Sequence, residues 1–295
     1  MNGILLIDKP AGWTSMDVCA KLRGALREKR VGHSGTLDPM ATGLLVVLLG
    51  RATRAAQYAE AQEKTYEAAV RFGLVTDTQD VSGRILETRD ASSVTDAEID
   101  RALAGFRGEI DQIPPMYSAL KVNGQKLYDL ARKGREVERQ PRRVTIRSLE
   151  RTGRTDDGDT LLRVACSKGT YIRTLCHDLG QALGCGAAMS ALRRVRCGSF
   201  TVSDAHTLDA VLSAAERGEA ERLLLPVETL FAGLPDAQLT PAQEKRIRSG
   251  GTYSCPLPEG SYRLFGASGF LALGAVADGK MRGVKSFYEI EGKQA

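Results

Sequence analysis

The sequence predicts an α/β protein of the α+β kind: a mixed, largely antiparallel sheet followed by a small β-rich domain. Three observations carry this. Strand-like and helix-like segments interleave without the regular alternation of a doubly wound sheet. At 295 residues the chain is long enough for two domains. Beyond about residue 233 the texture changes to short apolar runs broken by glycine, namely Tyr262 to Phe265, Gly269 to Val276 and Val284 to Ile290. The expected division is therefore 1–232 and 233–295.

In chain order, Gly3 to Asp8 reads as a short buried strand ending in the turn Lys9-Pro10-Ala11-Gly12. Ser15 is the expected cap of a helix running to about Arg27, with Val18, Cys19, Leu22, Ala25 and Leu26 on its apolar side. The unbroken run Leu44 to Leu49 fits either a strand covered on both faces or part of a buried helix. Lys64 to Phe72 alternates, setting Tyr66, Ala68, Val70 and Phe72 on one strand face. Gly73 to Gly83 is rich in turn formers. Thr95 and Glu98 form a capping box for a helix through Phe106. Leu161 to Ser167 reads as a strand, Thr170 to Leu183 as a helix stopped by Gly184, and Gly198 to Val202 as one more strand.

Composition narrows the function classes. With 42% hydrophobic and 26% charged residues, the chain reads as folded and soluble. The first apolar stretch, Ile4 to Ile7, is cut off by Asp8 and Lys9, unlike a signal peptide, and Leu44 to Leu49 is too short to cross a bilayer. A cytoplasmic location with no membrane association is expected. The six cysteines include no C-x-x-C pair and the three histidines are far apart, so neither metal nor disulfide framework is expected. The net charge of +5 is unevenly distributed, densest from Lys121 to Arg147. That segment fits a solvated face or a surface for a polyphosphate backbone, and composition alone does not separate the two.

Several familiar sites are absent from the sequence. No G-x-x-x-x-G-K-[ST] loop occurs, no G-x-S-x-G elbow occurs, and Gly184-Cys185-Gly186 is followed by Met189 where a dinucleotide fingerprint needs glycine. What remains is a set of polar residues without obvious cofactor chemistry. Asp38 stands out, an acid between a glycine-rich loop and the apolar run. Position alone favours a turn former whose carboxylate caps nearby amides.

Seven blocks, in order, change that weighting: DKPAGWTS (8–15), GHSGTLDPMATG (32–43), KTYE (64–67), TDTQDVSG (76–83), IPPMYSALKVNGQKLYDLARKG (113–134), CSKGTYIRTL (166–175) and LRR (192–194). Together they closely resemble the TruB-type tRNA pseudouridine synthases, which isomerise the T-loop uridine. The likeness covers roughly residues 3–202, and the tail resembles the family's small PUA-like RNA-binding domain less distinctly. Ser34 and Met40 stand where the family has Thr and Leu, changes that roughly keep size and character.

The resemblance implies the pseudouridine synthase fold, no cofactor, a tRNA T-arm as partner, no obligate protein partner, and a monomer. It implies Asp38 as nucleophile and Arg173 as its ion-pair partner. Tyr66 would stack on the flipped base and help remove the C5 proton, although alternation alone makes it a core aromatic. Tyr171 and Leu192 match further pocket positions, the leucine being the weaker match. His33 matches a histidine that fills space near the displaced base. Lys9, with Pro10, would shape the pocket floor, a structural more than a catalytic role. The stretch 117–143 matches a loop that clamps RNA, making Lys121, Lys126, Arg132 and Arg142 candidates for phosphate contact. Arg193 and Arg194 are additions to that set.

Overall fold

The computed structural model describes residues 1–122 and 124–288. The run Val284 to Ile290 and the segment 233–295 therefore extend past the described residues, and Asn123 of the basic segment lies outside them. Strand β1 (Gly3–Lys9) turns into helix α1 (Ser15–Ala25), and the short β2 (Val31–His33) precedes β3 (Thr42–Leu49). Next come α2 (Ala56–Ala61), β4 (Lys64–Phe72), the hairpin β5 (Leu74–Thr76) and β6 (Ile85–Thr88), α3 (Asp96–Ala104) and β7 (Gly108–Gln112). The hairpin β8 (Lys121–Val122) and β9 (Gln125–Lys126) runs into α4 (Leu127–Arg132). Then follow β10 (Arg142–Arg154), β11 (Thr160–Cys166), α5 (Ile172–Ala182), β12 (Ala187–Cys197), β13 (Phe200–Thr201), β14 (His206–Thr207) and α6 (Leu208–Glu216). The last part holds β15 (Asp236–Gln238), α7 (Pro241–Arg248), β16 (Thr252–Ser254), β17 (Gly260–Gly266), β18 (Gly269–Ala277) and β19 (Lys280–Ser286).

The main sheet has the order β14-β1-β3-β12-β4-β11-β10-β7, with β2 on β3 and β13 on β12. Only β1–β14 and β12–β3 are parallel among its pairs; the others are antiparallel. The sheet is mixed and largely antiparallel, as expected.

The apolar run is a strand because both of its faces are covered. Leu44, Val46 and Leu48 share one core with Ile4, Leu6 and Phe200; Leu45, Val47 and Leu49 share another with Val18, Cys19 and Leu22 of α1 and with Val211 of α6. A strand buried on both sides has no polar face to alternate with. Each fully buried Leu or Val there contributes about 1.5–3 kcal/mol relative to exposure.

Beside it, β12 meets β3 through only two register pairs, Arg193↔Thr42 and Arg194↔Gly43. Gly43 sits at φ 95°, and a Cβ there would lie 2.3 Å from the Arg194 carbonyl oxygen. Only glycine lets the two central strands approach so closely.

A smaller five-stranded sheet, β15-β17-β18-β19-β16, follows the first. It does not hang free. Leu273 and Phe287 join Ile4, Leu44 and Phe231 in one core, the rings of Phe270 and Phe287 stack at 5.4 Å, and Arg54 donates to the Ser286 carbonyl at 3.1 Å.

Several local expectations shift. Thr14, not Ser15, caps α1: its side chain accepts from the Asp17 amide, and the Asp17 carboxylate accepts from the Thr14 amide. Ser15 turns inward instead. The helices expected to reach Arg27 and Phe106 end at Ala25 and Ala104. Two long strands were not anticipated, β10 and β12. The sequence leaves the basic stretch at the start of β10 as a solvated face or a polyphosphate surface, whereas Arg143, Arg151 and Arg154 find acids on adjacent elements, Asp111, Asp100 and Asp96.

Candidate active site

The loop between β2 and β3 carries Asp38, and the turn after β1 fixes it from below. Ser15 Oγ accepts from the Leu37 amide at 2.9 Å, and the Gly12 amide donates to the Pro39 carbonyl at 2.8 Å. The Lys9 ammonium, fully buried, donates to the carbonyls of Pro10 (2.9 Å), Trp13 (2.6 Å) and Pro39 (3.3 Å). Burial pulls the Lys9 pKa down to about 8, while the Asp38 charge pulls it back up. DKPAGWTS and GTLDP are thus two halves of one support.

Above this support, Arg173 reaches Asp38 from the first turn of α5. Its Nε donates to Asp38 Oδ2 at 2.8 Å and its Nη2 to Oδ1 at 3.2 Å, a bidentate pair. The guanidinium is buried, with its side chain 6% exposed, whereas the Asp38 side chain is 31% exposed. Nη1 also donates to the Thr78 carbonyl at 2.9 Å and Nη2 to the Tyr117 carbonyl at 2.8 Å. The cation is held from inside the protein and the carboxylate is left partly open to solvent, so the acid is reachable from outside while a buried cation holds both its oxygens.

Asp80 is a second acid at this site, and no role was expected of it although it lies within TDTQDVSG. It is buried, with Oδ2 3.8 Å from Arg173 Nε. Its Oδ1 accepts from Thr78 Oγ1 at 2.8 Å, the Ser82 amide at 2.9 Å and Ser82 Oγ. The available signal was the T-x-D-x-S spacing, hydroxyls flanking an acid. Gln112 was also missed: it brackets Tyr171, accepting from its amide at 2.9 Å and donating to its carbonyl at 3.2 Å.

Tyr66, Leu192, Leu37 and Ala41 belong to one apolar cluster beside Asp38. Tyr66 is 8% exposed, and burial pushes its phenol up to about 12, with the Arg194 charge opposing. Tyr171, half-buried, precedes α5, and burial raises its phenol too. His33 ends β2; burial and then Arg194 hold it below the ordinary histidine value, and its Nδ1 has no hydrogen-bond partner among the described residues.

The basic candidates divide. Lys121, Lys126, Arg132 and Arg142 lie on β8, β9, α4 and β10. The Tyr128 ring sits under both Lys126 (5.2 Å) and Arg132 (5.4 Å). This segment is tied to the acid pair, because Tyr117 accepts from Arg173 and Ser118 accepts from the Tyr128 amide at 3.1 Å. Arg193 is half-exposed and paired with both oxygens of Asp8, at 3.0 and 2.8 Å. Arg194 departs from the expectation of a phosphate contact: it is 1% exposed and donates to the carbonyls of Leu44 and Gly35.

Among the described residues, no group of three or more His, Cys, Asp or Glu side chains is arranged to hold a metal, and no helix is long and apolar enough to cross a membrane.

Comparison with known proteins identifies the family. Residues 23–172 match the model of the TruB family pseudouridylate synthase N-terminal domain, and residues 173–232 match the tRNA pseudouridylate synthase B C-terminal domain. The second match falls within the main sheet, so β15 to β19 lie outside both. The tRNA pseudouridine synthase B of Opitutus terrae is 51% identical over 77% of this chain and 93% of its own. That of an Azoarcus species is 46% identical over 96% and 93%. Among solved structures, a Cbf5-Nop10-Gar1 complex superposes with TM-score 0.73 at 27% identity, over 97% of this chain and 85% of the other. The archaeal box H/ACA sRNP Nop10-Cbf5 complex gives 0.71 at 25% identity, over 97% and 86%. The architecture is the pseudouridine synthase fold with a curled, PUA-like second sheet, and the chain belongs to the TruB family of pseudouridylate synthases.

Proposed function

We propose that this enzyme isomerises the T-loop uridine of tRNA, with Asp38 as nucleophile, Arg173 as its electrostatic partner and Tyr66 beneath the flipped base. The observation that carries this is the bidentate pair, a buried guanidinium clasping both oxygens of a half-exposed carboxylate. In the family's reaction the N1–C1′ bond of the uridine breaks, the uracil turns, and a C5–C1′ bond forms. The C5 proton is lost and N1 gains one, so atoms and electrons balance without redox. A stacked loop base must leave the stack to reach such a pocket. Tyr66, Leu192, Tyr171 and His33 would line that pocket, above a floor shaped by Lys9.

The segment 117–143 would hold the T-arm backbone through Lys121, Lys126, Arg132 and Arg142, contacts that position RNA without reading its sequence. Arg193 stays in that set, although its pairing with Asp8 competes. Residues from 233 on would form a second RNA-binding unit. The curated relatives carry the name tRNA pseudouridine synthase B, which supports a tRNA substrate; that the chain works alone, as a monomer in the cytoplasm, belongs to our reading. The Cbf5 neighbours were solved in complexes, so a guide- and partner-dependent mode is the competing reading.

The test is tritium release from unmodified tRNA labelled at uridine C5, using the purified chain alone. Multiple turnover by the wild type, abolished in Asp38→Asn with RNA binding retained, is the expected outcome. No release despite tight binding would move the protein to the partner-dependent or folding-factor class and return Asp38 to a loop cap.

A further inference from the structure

Arg194 is an arginine in an expensive place. Its side chain is essentially inaccessible, and its Nε and Nη2 donate to the carbonyls of Leu44 (2.7 Å) and Gly35 (3.2 Å). Among the described residues no carboxylate lies within ion-pair distance of it. A guanidinium stays charged when buried, and an uncompensated buried charge is costly. The titratable groups in its field are Lys9, His33, Lys64 and Tyr66, and three of these are bases whose charged forms it opposes.

Register explains which of them it serves. Arg194 on β12 is the cross-strand partner of Tyr66 on β4, as Leu192 is of Ala68. Directly opposed residues on one sheet face have Cβ atoms about 5 Å apart. The two carbonyls it holds belong to the start of β3 and to the glycine turn three residues before Asp38. One planar fork therefore spans the pocket tyrosine and the loop that carries the nucleophile.

We propose that Arg194 is a positioning residue, which fixes the Tyr66 phenol and the Gly35 turn of the Asp38 loop relative to each other. It acts through Tyr66 on the chemical steps after RNA capture, and not as a phosphate contact. This rests on the reading of Tyr66 as the residue beneath the flipped base. The Arg194 charge favours the ionised form of the phenol against the burial that disfavours it, and a fixed ring sets where that oxygen stands relative to the C5 hydrogen that must leave.

The experiment is a double-mutant cycle on single-turnover tritium release, with RNA affinity measured in parallel at two salt concentrations. Arg194→Met is expected to slow release by about tenfold or more while RNA affinity changes less than about twofold. Arg194→Lys keeps a buried charge and recovers part of the rate; it also carries the test should the methionine variant fail to fold. In a Tyr66→Phe background the added effect of either substitution shrinks to within about twofold, the mark of two residues acting as a unit. Loss of RNA affinity with a shallower salt dependence would overturn the proposal in favour of a phosphate contact. Effects that multiply fully in the double variant would overturn it by separating Arg194 from Tyr66. Wild type and Asp38→Asn run alongside: if the wild type releases no tritium, the functional reading itself fails, whereas normal wild-type chemistry with an inert Arg194 sinks only this inference.

Discussion

Replacing Lys9 by methionine removes a buried ammonium, and its signature is an altered pH dependence of stability. The Lys9 pKa lies at about 8 in the folded protein, against an ordinary value of 10.5, with burial as the main cause. Below pH 8 the lysine is charged in both folded and unfolded chains, so the folded state bears the full burial cost there. Between about 8 and 10.5 the unfolded chain holds more protons, so stability rises with pH through that window and levels off above it. The depression from 10.5 to about 8 corresponds to about 3 kcal/mol, most of which is recovered on going from pH 7 to pH 10. Urea melts of wild type and Lys9→Met at those two pH values isolate this lysine, because other titrations cancel in the difference. Wild type should gain about 2–3 kcal/mol on the variant between pH 7 and pH 10. The variant also leaves the Pro10 and Trp13 carbonyls without this donor, so it slows turnover by loosening the Asp38 loop. A stability difference that does not change with pH, or that moves in wild type's disfavour, would refute the buried-ammonium reasoning.

Two further outcomes follow from the same geometry. Arg173→Lys keeps the charge but cannot reproduce four directed bonds, two to Asp38 and two to carbonyls. With charge-assisted bonds worth about 1.5–3 kcal/mol each, losing two predicts a single-turnover rate lower by roughly a hundredfold or more, at unchanged RNA affinity; a rate within about threefold of wild type would show the fork to be dispensable. Gly43→Ala sets a Cβ 2.3 Å from the Arg194 carbonyl oxygen at φ 95°. About 3 kcal/mol of destabilisation is expected by denaturant titration, and an unchanged midpoint would mean that the β3–β12 junction tolerates separation.

What was legible in the sequence was local. The strand face of Tyr66, Ala68 and Val70 follows from alternation, and the Thr95–Glu98 capping box from a three-residue spacing; both are short-range patterns that tertiary contacts had no reason to override. The ordered blocks around Asp38 and Arg173 likewise point to the family the chain belongs to. That the apolar run is a strand was not legible, because a segment covered on both faces loses the periodicity that separates strand from helix. Nor was β10, whose arginines look like a solvated face until acids on neighbouring elements are brought beside them.

Asp38 and Arg173 are 135 residues apart, and Asp80 joins them from a third segment. Such a meeting is made by strand order, which no spacing in the chain encodes. Arg193 and Arg194 show the limit most plainly. Sequence treats them as one basic pair, but successive side chains on a strand point to opposite faces. One face of β12 leaves Arg193 half-exposed with Asp8; the other is roofed by the Asp38 loop, and there Arg194 is sealed against Tyr66. Identity came from the residues. Which arginine lies inside came from which strands flank it.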